Sequence, residues 1–87
     1  MVSYEVRMTH SAERELNALP KPIVPVLWER IKALASEPKS KRSKKLKGAE
    51  KAYRLRIRDY RVIYTVDDEE RLVIVTAVRH RKESYRG

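Results

Sequence analysis

The chain contains no cysteine, which excludes disulfides and thiolate metal sites. Its two histidines, His10 and His80, stand far apart in sequence. They form no local metal motif, so any chemistry is expected to run without a metal or other cofactor. Only two glycines occur, against 41% hydrophobic residues, a balance that favours an ordered globule over a disordered basic tail. No apolar run approaches the ~18 residues that span a bilayer. The opening MVSYEVRMTH alternates instead of forming the continuous apolar core of a signal peptide. A soluble, cytoplasmic protein without a membrane partner is therefore expected.

Acidic residues are also in short supply, 12 against 21 lysines and arginines, for a formal net charge of +9. Such a surface attracts polyanions. Nucleic acid is the commonest of these, although an acidic protein or lipid headgroups would satisfy the same electrostatics. A chain of 87 residues is expected to form one domain, 1–87. At this size roughly 60–65% of the unfolded chain's surface is buried, so the core must be thin, one layer of helix against one sheet.

Period-two alternation of Val2, Tyr4, Val6 and Met8 predicts a half-buried first strand. Thr9 or Ser11 can cap a short helix whose stripe is Ala12, Leu16 and Leu19, ended by Pro20. A second helix is predicted from near Pro22 to about Ser36, with both Pro22 and Pro25 in its first turn. Ile23, Val26, Leu27, Ile31 and Leu34 form its buried face. The basic run PKSKRSKKLKGAEK reads as a loop, either a solvated linker or a phosphate-contacting segment. Two further strands meet at a tight turn near Asp59, and LVIVTAV after a second turn suits a central strand buried on both faces. The predicted class is α+β, in the order β-α-α-β-β-β. A helical hairpin packs on one face of a mostly antiparallel four-stranded sheet.

With Arg58 and Asp59 as the turn, Ile57 faces Tyr60, Arg56 faces Arg61 and Arg54 faces Ile63. Tyr53, Leu55, Ile57, Tyr60, Val62 and Tyr64 then cover the helices, while Arg54, Arg56 and Arg61 gather on the open face. Like charges across a ladder cost roughly 0.2–1 kcal/mol, which a solvent-facing sheet tolerates and a phosphate-binding sheet explains. Arg79, His80, Arg81 and Lys82 follow the last strand directly, and Tyr85 and Arg86 come soon after. Guanidinium forks suit phosphate oxygens, and a tyrosine ring stacks on a base.

Three segments, SAERELNALP, the LKG followed by YRLRIRDYRVIY, and VRHRKESYR, resemble in order and spacing the RelE/ParE superfamily of bacterial and archaeal toxins. The resemblance spans essentially the whole chain. It implies a toxin of a type II toxin–antitoxin system, a metal-independent endoribonuclease that cuts messenger RNA in the ribosomal A site by attack of a ribose 2′-hydroxyl on the adjacent phosphate. Arg54, Arg56, Arg61, Arg81 and Tyr85 match the family's catalytic positions. Some relatives carry lysine in the first hairpin strand where this chain has arginine. A guanidinium is a poor proton acceptor, which leaves His80, Glu83 and Tyr85 as candidates for the proton transfers. Arg58 and Arg79 stand where many relatives have glycine. Together with Lys45, Lys47, Lys82 and Arg86 they are the expected RNA contacts. The implied partners are a small RelB-like antitoxin, the ribosome and its messenger, with DNA engaged only indirectly through the antitoxin complex. The alternatives are a ParE-like inhibitor of DNA gyrase, a non-catalytic RNA-binding module, and an interaction domain for an acidic protein.

Overall fold

The computed structural model describes residues 3–39, 43–46 and 51–80. The first strand, β1 (Glu5–Met8), alternates as its sequence requires, Val6 and Met8 packing on the core while Glu5 and Arg7 stay exposed. Thr9 ends it and starts the first helix. Its Oγ1 accepts the Ala12 amide at 3.1 Å, and its own amide donates to the Val75 carbonyl at 3.0 Å. Such a cap contributes ~1 kcal/mol. Helix α1 (His10–Asn17) buries Ala12 and Leu16 at i,i+4 spacing. Helix α2 (Val24–Ala33) begins slightly later than its sequence predicts. Pro25 lies in its first turn, where a missing amide is harmless, and Leu27 and Ile31 are buried.

The sheet comprises β1, β2 (Ser43–Lys45), β3 (Ala52–Ile57), β4 (Tyr60–Asp67) and β5 (Leu72–His80), in the spatial order β1-β5-β4-β3-β2. β1 runs parallel to β5, and the other neighbours are antiparallel. The α+β class and the helical hairpin on one face are as the sequence predicts, but among the described residues the sheet has five strands instead of four. The extra strand arises inside the basic run. Ser43, Lys44 and Lys45 pair with Leu55, Arg54 and Tyr53, so backbone hydrogen bonding along the β3 edge overrides the low strand propensity of lysine. Lysines there also suit an edge strand, since their charge discourages pairing with another chain.

The β3–β4 register is the expected one: Ile57↔Tyr60, Arg56↔Arg61 and Arg54↔Ile63. Leu55, Ile57, Val62, Tyr64 and Val66 therefore meet Leu16, Leu27 and Ile31 in one core. β5 departs from the continuous apolar strand that LVIVTAV suggests. Val73 and Val75 are fully buried, whereas Ile74 is half-exposed and Thr76 exposed. The helices cover one face of the sheet, and on the other face Thr76 meets solvent while Ala77 stays buried. A bulge then re-phases the strand. Ile63 pairs with Ala77 and Tyr64 with Val75, leaving Thr76 as the extra residue, its hydroxyl donating to the Ile63 carbonyl at 3.3 Å. Past the bulge Val78 rejoins the core, and Arg79 falls opposite Arg61.

Tyr64 is the largest fully buried side chain. Its ring stacks on Tyr53 with centroids 5.9 Å apart, and its hydroxyl donates to the Pro38 carbonyl at 2.7 Å. Burial holds its pKa above the usual phenol range, opposed by a hydrogen bond with Ser43. One hydroxyl thus ties the segment after α2 to the middle of the sheet. At the far end of the sheet Asp68 accepts from Lys39 Nζ at 2.6 Å and from the Tyr4 hydroxyl at 2.7 Å. The hydrogen bond from Lys39, then that from Tyr4, holds the Asp68 carboxyl below its ordinary range, while Lys39 and Tyr4 are both raised by their bond to Asp68.

Two outcomes are expected. Tyr64→Phe strands the Pro38 carbonyl and should lower unfolding free energy by ~1–2 kcal/mol, measured by urea titration. An unchanged midpoint would contradict the role given to this hydroxyl. Because Asp68 is depressed in the folded state, its contribution is present above the unfolded carboxyl pKa and lost as pH falls through the lower folded value. Asp68→Asn should therefore destabilise at neutral pH and flatten the acid limb of a thermal stability profile. An acid limb as steep as the parent's would contradict this linkage.

Candidate nucleic-acid interface

Strand parity assembles the cationic face. Directly opposed pairs share a side of the sheet, so Arg56↔Arg61 and Arg61↔Arg79 place three arginines in one row across β3, β4 and β5. Lys44↔Arg54 forms a second row across β2 and β3. Lys44, Arg54, Arg56 and Arg61 line a concavity of about 100 Å³. One water needs roughly 10–15 Å³ of such space, so the concavity has room for several waters or for a phosphate group. Arg54 and Arg61 are half-buried, with Arg61 Nε screened from solvent, while Arg56 is exposed.

Two features restrict how these guanidiniums stand. The hairpin tip holds Arg58 at φ 56°, left-handed backbone that costs a non-glycine residue roughly 1–2 kcal/mol. In that conformation its carbonyl accepts from Arg56 Nε at 3.3 Å. At the other end of the row Arg79 Nε lies 3.5 Å from Glu15 Oε2 of α1. The row also accepts like-charge juxtapositions of roughly 0.2–1 kcal/mol each.

Not every expected residue joins it. His80 pairs with Tyr60, and their rings meet edge to face with centroids 5.2 Å apart. Tyr60 packs toward the core, so His80 occupies the helix side of the sheet, away from the arginine row. Lys45 likewise shares the Tyr53 side. It lines a separate cleft of about 300 Å³ with Lys39, Lys51, Asp67 and Asp68. Lys47, Arg81, Lys82, Glu83, Tyr85 and Arg86 lie outside the described residues. Lys44 is a basic residue that sequence reasoning missed. It becomes visible only once SKK is read as an edge strand paired in register with Arg54. Glu15 was missed as well, and no local sequence signal marks it. Among the described residues no group of three or more His, Asp or Glu side chains is placed to hold a metal ion. Among them, too, no helix is long and apolar enough to cross a membrane.

Fold and site together define a class of small, basic α+β protein, a helical hairpin backing a sheet whose free face presents guanidinium groups. Residues 6–85 match the family described as the ParE toxin of type II toxin–antitoxin systems, parDE. Toxin RelG of Mycobacterium tuberculosis is 32% identical over 84 residues, covering 95% of this chain and 97% of that protein. Among solved structures, the toxin–antitoxin complex RelBE2 of the same organism contains a chain with a TM-score of 0.82 and 34% identity, covering 92% of this chain and 100% of that one. The archaeal RelE–RelB complex of Pyrococcus horikoshii gives a TM-score of 0.81 at 28% identity, covering 91% of this chain and 96% of that one. This chain belongs to the RelE/ParE family and is a toxin of the type II toxin–antitoxin kind.

The strained hairpin tip yields a test. Arg58→Gly should raise unfolding free energy by up to about 1 kcal/mol, because glycine adopts positive φ freely. It should also lower the salt slope of RNA binding by ~0.7, the share of one phosphate contact on a single strand. A stabilised variant with an unchanged slope would remove Arg58 from the interface.

Proposed function

We propose that this toxin is a ribosome-dependent endoribonuclease that arrests translation by cutting messenger RNA in the A site. The reading rests on the free face of the sheet, where Lys44, Arg54, Arg56 and Arg61 line a small concavity and Arg79 stands in register with Arg61 beside it. Attack of a ribose 2′-hydroxyl on the adjacent phosphorus needs no protein nucleophile and no metal. It forms a cyclic phosphate and expels the 5′-oxygen of the next nucleotide. Negative charge builds on the five-coordinate phosphorus, and guanidinium donors fixed before the reaction stabilise it. In this mechanism Arg54, Arg56 and Arg61 hold the scissile phosphate, with Arg81 joining them from the segment after β5. Arg58, Arg79, Lys82 and Arg86 steer the flanking backbone.

The face supplies charge stabilisation and little base chemistry, since arginine is a poor proton acceptor. His80 stands on the opposite side, so the proton transfers are assigned to Tyr85 and Glu83, with Tyr85 also stacking on a base. Residues 1–87 act as one cytoplasmic toxin domain. Relatives solved with RelB-type partners support a small antitoxin as the neutralising partner of this chain. Covering the arginine face would explain neutralisation by charge alone. A second reading, poisoning of DNA gyrase, is favoured by the ParE description of the matching family.

One experiment separates them. Purified protein is added to ribosomes paused on a defined messenger and, in parallel, to gyrase with supercoiled DNA. Cuts at the A-site codon are expected, with Arg61→Ala slowing them by about 10²–10³-fold and leaving the melting temperature unchanged. Intact messenger alongside gyrase-trapped DNA breaks would overturn the proposal in favour of the second reading.

A further inference from the structure

β1 covers the outer edge of β5 only as far as Val75. Beyond the bulge no strand among the described residues lies beside that edge, and a backbone amide pointing outward there must find another acceptor. Glu15, in the last two turns of α1, supplies it. Its Oε1 accepts the Val78 amide at 2.9 Å, and its Oε2 lies 3.5 Å from Arg79 Nε. A single carboxylate therefore grips two consecutive residues of β5 at the point where the strand hands Arg79 to the arginine row. The ion pair is partly exposed, Glu15 by 32% and Arg79 by 48%, and pairs of that kind add little stability. The Val78 bond anchors the strand end, and the Arg79 contact orients a side chain.

We propose that Glu15 is a positioning residue for the arginine face. It fixes the last residues of β5 against α1 and holds the Arg79 guanidinium in register with Arg61. A like-charged row drives its members apart, and an acid at its end counters that drift. Its functional consequence rests on the endoribonuclease reading, whereas its structural part does not. An oriented guanidinium matters because small displacements of a positioned group cost catalysis steeply, on the order of 10²-fold for 1 Å.

The test uses the full chain and two substitutions. Glu15→Gln retains an oxygen for the Val78 amide and loses the charge, while Glu15→Ala loses both. Hydrogen exchange of the Val78 amide, measured without RNA, should stay near the parent's in Glu15→Gln and speed up by about tenfold or more in Glu15→Ala. On ribosomes, Glu15→Gln should lower kcat by about tenfold, yet bind a single-stranded ribo-oligonucleotide at least as tightly, because removing an acid raises net positive charge. A merely structural role would weaken binding and cleavage together. In an Arg79→Ala background the Glu15→Gln effect on kcat should vanish. Equal Val78 exchange in all three proteins overturns the inference, as does an unchanged kcat in Glu15→Gln. If the parent itself cuts nothing, the proposed function fails, and Val78 exchange still decides whether Glu15 anchors the strand.

Discussion

The two-residue turn at Arg58–Asp59 sets the pairing Ile57↔Tyr60, and through it which side chains of the hairpin reach the helices and which reach solvent. A slip of one residue would exchange the two sets, sending Leu55 and Val62 to water and the arginines into the core. Burial of Leu55, Ile57, Val62 and Tyr64 beneath α1 and α2 makes that slip prohibitive. Each such side chain contributes roughly 1.5–3 kcal/mol. Hydrophobic burial on one face is thus what concentrates cations on the other.

The bulge at Thr76 extends the same logic to β5. Uninterrupted alternation from Val73 and Val75 would carry residues 77 and 79 to the helix side. One extra residue reverses the phase, so Val78 fills the core and Arg79 joins Arg61. The arrangement holds two features that stability alone would not select: cations directly opposed across the ladder and an arginine in left-handed backbone at the hairpin tip. Strain and like-charge repulsion held in place by a packed scaffold are common at functional sites. Here the opposed cations form one row across β3, β4 and β5.

Much of this was legible in the sequence, because period-two alternation over YRLRIRDYRVIY leaves one register compatible with a covered face. A cap at Thr9 or Ser11 and Pro25 in a first helical turn were legible for equally local reasons, and the structure selects Thr9 and leaves Pro22 ahead of α2. The strand formed by Ser43–Lys45 was not, since its stability comes from the backbone of β3 and not from its own side chains. The side of the sheet taken by His80 depended on a bulge, and a bulge is set by how Ile63 and Tyr64 meet β5, a non-local pairing. Glu15 was hidden for the same reason, as its partners lie more than 60 residues away in sequence. The family resemblance led correctly to the toxin class, and the geometry shows which basic residues share a face.

On the proposed function, the free face of the sheet and not the helix side receives the RNA backbone. The most direct measurement follows arginine Nε and backbone amide resonances while a non-cleavable single-stranded oligonucleotide, with 2′-deoxyribose at the scissile step, is titrated in. The expected result is saturable shifts at Arg54, Arg56, Arg61 and Arg79, with Leu27, Ile31 and the rest of α2 unmoved. Shifts confined to α1 and α2, or to the cleft between Lys39 and Lys51, would contradict the account.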